Sequence, residues 1–368
     1  MAALLNPTSR RLATAACRRI STPSAAAPLV SRRISYERYS SSLVDVSGGF
    51  SEMLDATQRY YVLGGKGGVG KISMAASLAV KFTSHGERTL IVSTDTTRSL
   101  GASFEQDWDM RDGKVVRVNG FDSLFATEIN HVKIVSESFI NSLLGKMGLA
   151  NANSVAMSKL IETFNRAPPG VEDVYALSEL INSIELQETD KFRRIVLDAP
   201  STGHTLKLLS ANDWIEKLLF LAIKGVNAAS SNPAFKLSPE KAQVISSEFE
   251  ELRQKIARVR ELLFDPRATE FIIVTIPTMM AVGESSRFHS SLNKDGVHTR
   301  RLVVNQVQPP SASDCRFCAA KRREQARAFS AIREDSELGG LKLVQAPLLD
   351  VEVKGVPALR FLSDSVWK

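Results

Sequence analysis

The chain has 368 residues, and its 43 % hydrophobic and 24 % charged residues are the composition of an ordinary globular protein. That length suits one large α/β domain, or one domain with an elaborated subdomain. Its net charge of +7 is no nucleic-acid signature, because residues 1–44 hold seven arginines, no lysine and one acid, Glu37, which leaves the remainder nearly neutral.

Residues 1–50 come first. The stretch MAALLNPTSRRLATAACRRISTPSAAAPLVSRRISYERYSSS is rich in Arg, Ser and Ala, has no acid before Glu37, and lacks the continuous apolar core of a secretory signal. It predicts an organellar transit peptide, removed somewhere near residues 35–50; a disordered tail is the plainer alternative. Its arginine density favours the mitochondrion, with the chloroplast stroma as the alternative. The domain proper is then 51–368. No run reaches the ~18 apolar residues of a membrane span; the most apolar stretch, WIEKLLFLAIKGVNAA, is broken by Glu216, Lys217 and Lys224.

From residue 59 the pattern alternates. RYYVLGG (59–65) predicts a strand and KISMAASLAVKFTSHG (71–86) a helix. Further strands are predicted at TLIVSTD (89–95), LFATEI (124–129), RIVLDAP (194–200), FIIVTIP (271–277), RLVVNQ (301–306) and LKLVQAP (341–347). Several are near-continuous Val/Ile runs, the pattern of parallel strands buried on both faces. The fold class is therefore α/β, a doubly wound, mostly parallel sheet with ligand at the strand carboxyl ends.

Two long helical insertions, about 131–190 and 207–265, exceed simple crossovers. In the second, Ser238 caps a helix with Pro239 at its first position, and Leu252, Ile256, Val259 and Leu263 make one apolar face. In the first, the apolar residues of 139–164, among them Leu143 and Met147, are interrupted by Gly145, Gly148 and ANANS. They read as two short amphipathic helices about a hinge, either ordinary core helices or a mobile apolar groove for a hydrophobic guest.

The chemistry starts at GGKGGVGKIS, residues 64–73. Gly65, Gly70 and Lys71 have the spacing of a phosphate-binding loop, following a strand and opening a helix. Successive backbone N–H groups of Gly65, Lys66, Gly67, Gly68, Val69 and Gly70 would cradle phosphate oxygens, with Lys71 and the helix N-terminus adding positive charge. DCRFC at 314–318 offers two thiolates, Cys315 and Cys318. Structural zinc takes four ligands, so the pair alone leaves open half of a shared zinc site, a redox dithiol, buried thiols, or an Fe–S cluster shared across a dimer.

Lys66 makes the loop K-G-G-V-G-K, the signature of the deviant P-loop ATPases, which work as dimers. Together with STD at 93–95, TGHTLKLL at 202–209, TEFIIVTIPT at 269–278, VVNQ at 303–306, DCRFC and GVPALRFL at 355–362, it makes the chain from about residue 58 onward resemble the ArsA-like ATPase family. Within it, the likeness is to the Get-pathway ATPases for tail-anchored membrane proteins, particularly their plant organellar paralogues. The resemblance implies ATP and Mg²⁺ as ligands and a homodimer in which Lys66 reaches the partner's nucleotide. It also implies that Asp95 orients the attacking water, that Asp198 supports Mg²⁺, that Asn305 reads adenine and that Glu284 contacts nucleotide. Cys315 and Cys318 would join their copies around a bridging Zn²⁺. The implied clients are hydrophobic tail-anchor segments, delivered to an unknown membrane receptor.

Three departures cluster on this chemistry. Ile72 stands where the family has the Thr whose hydroxyl ligates Mg²⁺, and Ser73 follows it. Thr96, Thr97 and Arg98 replace Pro-Ala-His, and Ala199, Pro200 and Ser201 alter the second switch. Ile puts carbon where an oxygen belongs, and Ser73 is turned by about 100° on a helix. Binding is expected to survive better than turnover. An ATP-driven targeting chaperone is the leading expectation. A nucleotide-binding holdase or regulatory protein with weak hydrolysis is the alternative, and an Fe–S scaffold ATPase a more distant one.

Overall fold

The computed structural model describes residues 49–94, 99–108, 114–128, 177–178, 181, 192–231, 238–309 and 315–368. In chain order its elements are α1 (Gly49–Asp55), β1 (Tyr60–Gly65), α2 (Lys71–Ser84), β2 (Thr89–Ser93), α3 (Ser99–Phe104), β3 (Val116–Arg117), β4 (Leu124–Glu128) and β5 (Arg194–Ser201). There follow α4 (Thr202–Ser230), α5 (Pro239–Phe264), β6 (Thr269–Thr275), α6 (Met279–Lys294), β7 (Thr299–Val307), α7 (Arg316–Glu334), β8 (Lys342–Pro347) and α8 (Gly355–Val366). The described strands form one sheet in the order β3-β4-β2-β5-β1-β6-β7-β8. All neighbours run parallel except the two-residue edge strand β3, which pairs antiparallel with β4.

The continuous apolar strands are explained by helices on both faces. Side chains alternate along a strand, so Tyr60 and Val62 join one buried cluster, with Leu219, Phe249, Ile256 and Phe288, while Tyr61 and Leu63 join another, with Met53, Leu78, Phe82 and Leu359. Strand β1 is buried at all six positions, which excludes the polar-out alternation of a half-exposed sheet.

Ser238 caps α5 by accepting from the Lys241 N–H, Pro239 opens the helix, and Leu252, Ile256, Val259 and Leu263 are all buried. Helix α4 begins at Thr202, directly off β5, rather than at 207, and packs along α5. The first insertion, including Leu143 and Met147, lies outside the described residues except at 177–178 and 181, where Leu177 and Ile181 are buried beside α4 and α5. Asp95 and residues 96–98 also lie outside them.

At the opposite end of the sheet from the glycine loop, two buried arginines fasten α1 and the segment leading into β1. Arg194 donates to the carbonyls of Leu54, Ala56 and Gln58. Arg301, 2 % exposed, pairs with Glu270, also 2 % exposed, and donates to the Gly49 carbonyl and to Glu52 at 2.9 and 3.2 Å. Removing one partner of a buried ion pair strands the other charge. Glu270→Ala is therefore expected to cost about 3 kcal/mol, the low end of the range for such losses because Glu52 remains. A urea-unfolding midpoint unchanged from the natural chain would refute this.

Candidate nucleotide site

Strand β1 lies between β5 and β6, where the chain order of the sheet reverses, so a crevice opens at the carboxyl ends of these strands. The loop after β1 occupies it. Gly65 is forced by close packing, because a Cβ there would overlap the backbone carbonyl oxygen of Val274 on β6. Gly70 has φ +87° and is the N-cap of α2, a left-handed conformation that costs little only for glycine. No side chain caps α2 at this residue, so the first N–H groups of the helix remain for an anion. A Cβ at Gly67 or Gly68 would meet nothing within 4 Å, so the front of the loop is open.

The two loop lysines are held differently. Lys71 is 7 % exposed and its Nζ donates to the Lys66 carbonyl at 3.3 Å. Lys66 Nζ lies 3.1 Å from Glu284 Oε2 on α6 of its own subunit. The Thr202 hydroxyl donates to Glu284 Oε1 at 2.9 Å, so Glu284 joins the loop, α6 and the first residue of α4. Burial works to raise the Glu284 carboxyl, but the hydrogen bonds from Thr202 and Lys66 and the lysine charge outweigh it and hold the group below its ordinary value. The stability this lends is present at neutral pH and is lost as pH falls through the lowered value.

Asn305 supports the loop from β7. Its Nδ2 donates to the Val69 carbonyl at 2.9 Å and its Oδ1 accepts from the Gln306 N–H at 2.8 Å. Asp198, 1 % exposed within β5, accepts from the Ser93 hydroxyl at 3.1 Å. Thr94 donates to the Asp198 carbonyl through both its N–H, at 3.0 Å, and its hydroxyl, at 2.9 Å. The residue preceding Asp95 is thus pinned to the strand that carries Asp198. Thr202, Ser93 and Thr94 all fall inside motifs visible in the sequence, but nothing in the sequence shows which partners their hydroxyls take.

The fit to Mg²⁺ is incomplete. Asp198 supplies a buried carboxylate, whereas Ile72 supplies no oxygen and packs against the apolar cluster beneath α2. The thiol pair fits half of a tetrahedral zinc site. Cys315 caps α7, its Sγ accepting from the Cys318 N–H at 3.3 Å. That amide hydrogen bond, with a further bond from the Cys318 side chain, lowers the Cys315 thiol, while the bond to Cys315 and partial burial raise Cys318. Among the described residues no group of three or more metal-ligating side chains converges, so completing four zinc ligands takes two more from elsewhere.

The family model for anion-transporting ATPases (ArsA) matches residues 58–368. The chain is 46 % identical to ATPase GET3B of Arabidopsis thaliana over 336 residues, covering 87 % of this chain and 81 % of that protein. It is 44 % identical to ATPase GET3C of the same plant, covering 89 % and 87 %. A fungal relative, ATPase GET3 of Chaetomium globosum, is 29 % identical over 88 % of this chain and 97 % of its own.

Proposed function

The chain belongs to the anion-transporting ATPase (ArsA) family, and from that premise we propose that it is an ATP-dependent, homodimeric targeting factor that shields hydrophobic tail-anchor segments on their way to a membrane. The observation that carries the proposal is the glycine loop itself, open in front, uncapped at the α2 N-terminus and set at the reversal of strand order. The names of the GET3 relatives support the tail-anchor reading.

In this reading the loop amides and Lys71 hold the phosphates, and Lys66 exchanges its own Glu284 for the partner subunit's nucleotide as the dimer closes. Asp95 would orient the attacking water, Asp198 would support Mg²⁺, whose charge would offset that of the phosphates, and Asn305 would face the adenine. Glu284, freed of Lys66, remains bonded to Thr202 and so relays the exchange to α4, one wall of the client-bearing helices. Cys315 and Cys318 would supply two thiolates to a structural Zn²⁺ completed by a second copy. The protein works in the mitochondrion, with the chloroplast stroma as the alternative address.

A second reading is a nucleotide-gated holdase that binds ATP and turns it over slowly. Ile72, which gives a metal no oxygen, favours it.

Capture of a labelled tail-anchor helix tests the main reading. ATP is expected to tighten capture several-fold, and Leu143→Asp with Met147→Asp to abolish it while ATP binding persists. Capture that ignores both nucleotide and these substitutions would reject it.

A further inference from the structure

The carboxyl end of β7 is bent around one side chain. Gln306 is exposed and has φ +59°, a left-handed conformation that among the described residues only one other non-glycine, Glu105, adopts. The pairing of β7 with β8 shifts register across it, between Val304 and Val307. The bend sets the Gln306 N–H against Asn305 Oδ1, at 2.8 Å. On its other side the Asn305 amide meets the glycine loop, where Nδ2 donates to the Val69 carbonyl at 2.9 Å. A main-chain donor at one end and a main-chain acceptor at the other fix which way this amide points. The approach is close, because a Cβ on Gly70 would overlap Nδ2. Backbone strain of the kind seen at Gln306 persists where it sets a working geometry.

The bond to Val69 falls on a peptide that could otherwise turn over. Val69 stands between Gly68, φ +80°, and Gly70, φ +87°, and glycine accepts either sign of φ. A trans peptide is planar, with its C=O and N–H opposed. Holding the Val69 carbonyl on Asn305 therefore aims the Gly70 N–H away from Asn305. The next carbonyl, that of Gly70, accepts from the Met74 N–H at 3.1 Å and opens α2. The peptide at the junction of loop and helix is thus oriented by Asn305, and both partners of Asn305 belong to the chain itself.

We propose that Asn305 is a positioning residue for phosphate. With its own amide locked by Gln306, it pins the Val69 carbonyl and keeps the Gly70 N–H directed at the phosphate chain of a nucleotide, whatever base that nucleotide carries. This deepens the reading of the loop as a nucleotide site and rests on it; one N–H of the Asn305 side chain is left for a base.

The probe is inorganic tripolyphosphate, which has the phosphate chain and no base. It is titrated calorimetrically into the full chain with Mg²⁺, beside ATP. Asn305→Ala is expected to weaken tripolyphosphate binding about tenfold, the scale of one hydrogen bond to a charged group, and ATP binding by at least as much. Asn305→Leu keeps the volume of the side chain without its polar atoms. It is expected to do the same, and is read in place of Asn305→Ala should that variant not fold. Glu270→Ala loosens the chain at the opposite end of the sheet; it is expected to leave both affinities within about twofold, as for a distant, independent position. ATP binding weakened with tripolyphosphate binding unchanged would make Asn305 a reader of the base alone and overturn the proposal. So would unchanged affinity for both ligands, an equal loss in Glu270→Ala, or a natural chain that binds ATP but not tripolyphosphate. A natural chain that binds neither would overturn the nucleotide reading itself, and the proposal with it.

Discussion

Ile72→Thr is expected to raise single-turnover ATP hydrolysis at least tenfold while changing ATP affinity little. A first-coordination-sphere oxygen contributes most when charge moves in the transition state, and about 1.4 kcal/mol regained there is tenfold in rate. In the proposed site, binding draws on the loop amides, Lys66 and Lys71, none of which the substitution touches. The cost in stability is small because Ile72 is only partly buried against its cluster, and Thr keeps its branched shape. Rates equal in the two proteins would mean that Ser73 or water already completes the metal's coordination, and the slow-turnover reading would fall.

Gly65→Ala is expected to destabilise the protein by about 3 kcal/mol or more and to abolish ATP binding. The added Cβ meets the backbone carbonyl of Val274, which is held in the β1–β6 ladder and cannot turn aside as a side-chain tip would. Overpacking of this kind typically costs 1–3 kcal/mol, and more where backbone must move. Gly67→Ala is the control. It meets nothing within 4 Å, so its urea midpoint is expected to stay within about 0.5 kcal/mol of the natural chain, as for an open surface position. Similar losses in the two variants would show that the β1–β6 approach is not what demands glycine at position 65.

Much of this architecture could be read from residue order because its causes are local. The buried parallel strands announce themselves as Val/Ile runs, and α5 through Ser238, Pro239 and the four-three-four spacing of its apolar face. The glycine loop declares itself by spacing and by its place between strand and helix. Strand β3 is two residues long and carries no period to detect. Arg194 and Arg301 stand at or near the starts of apolar runs, where a charged residue reads as a solvated end; only the tertiary fold sets carbonyls and Glu270 around them. The Lys66–Glu284–Thr202 junction joins three elements far apart in the chain. A motif marks such residues as belonging together without showing that the lysine rests on its own subunit's glutamate.

Every functional step proposed for this chain presupposes that the loop at 65–71 holds a nucleotide. Calorimetric titration of the folded chain with ATP and Mg²⁺, beside Lys71→Ala checked for native circular dichroism, tests that premise most directly. The account predicts saturable binding of one ATP per chain, lost in Lys71→Ala. A folded natural chain that takes up no ATP, or binding that Lys71→Ala leaves intact, would contradict it.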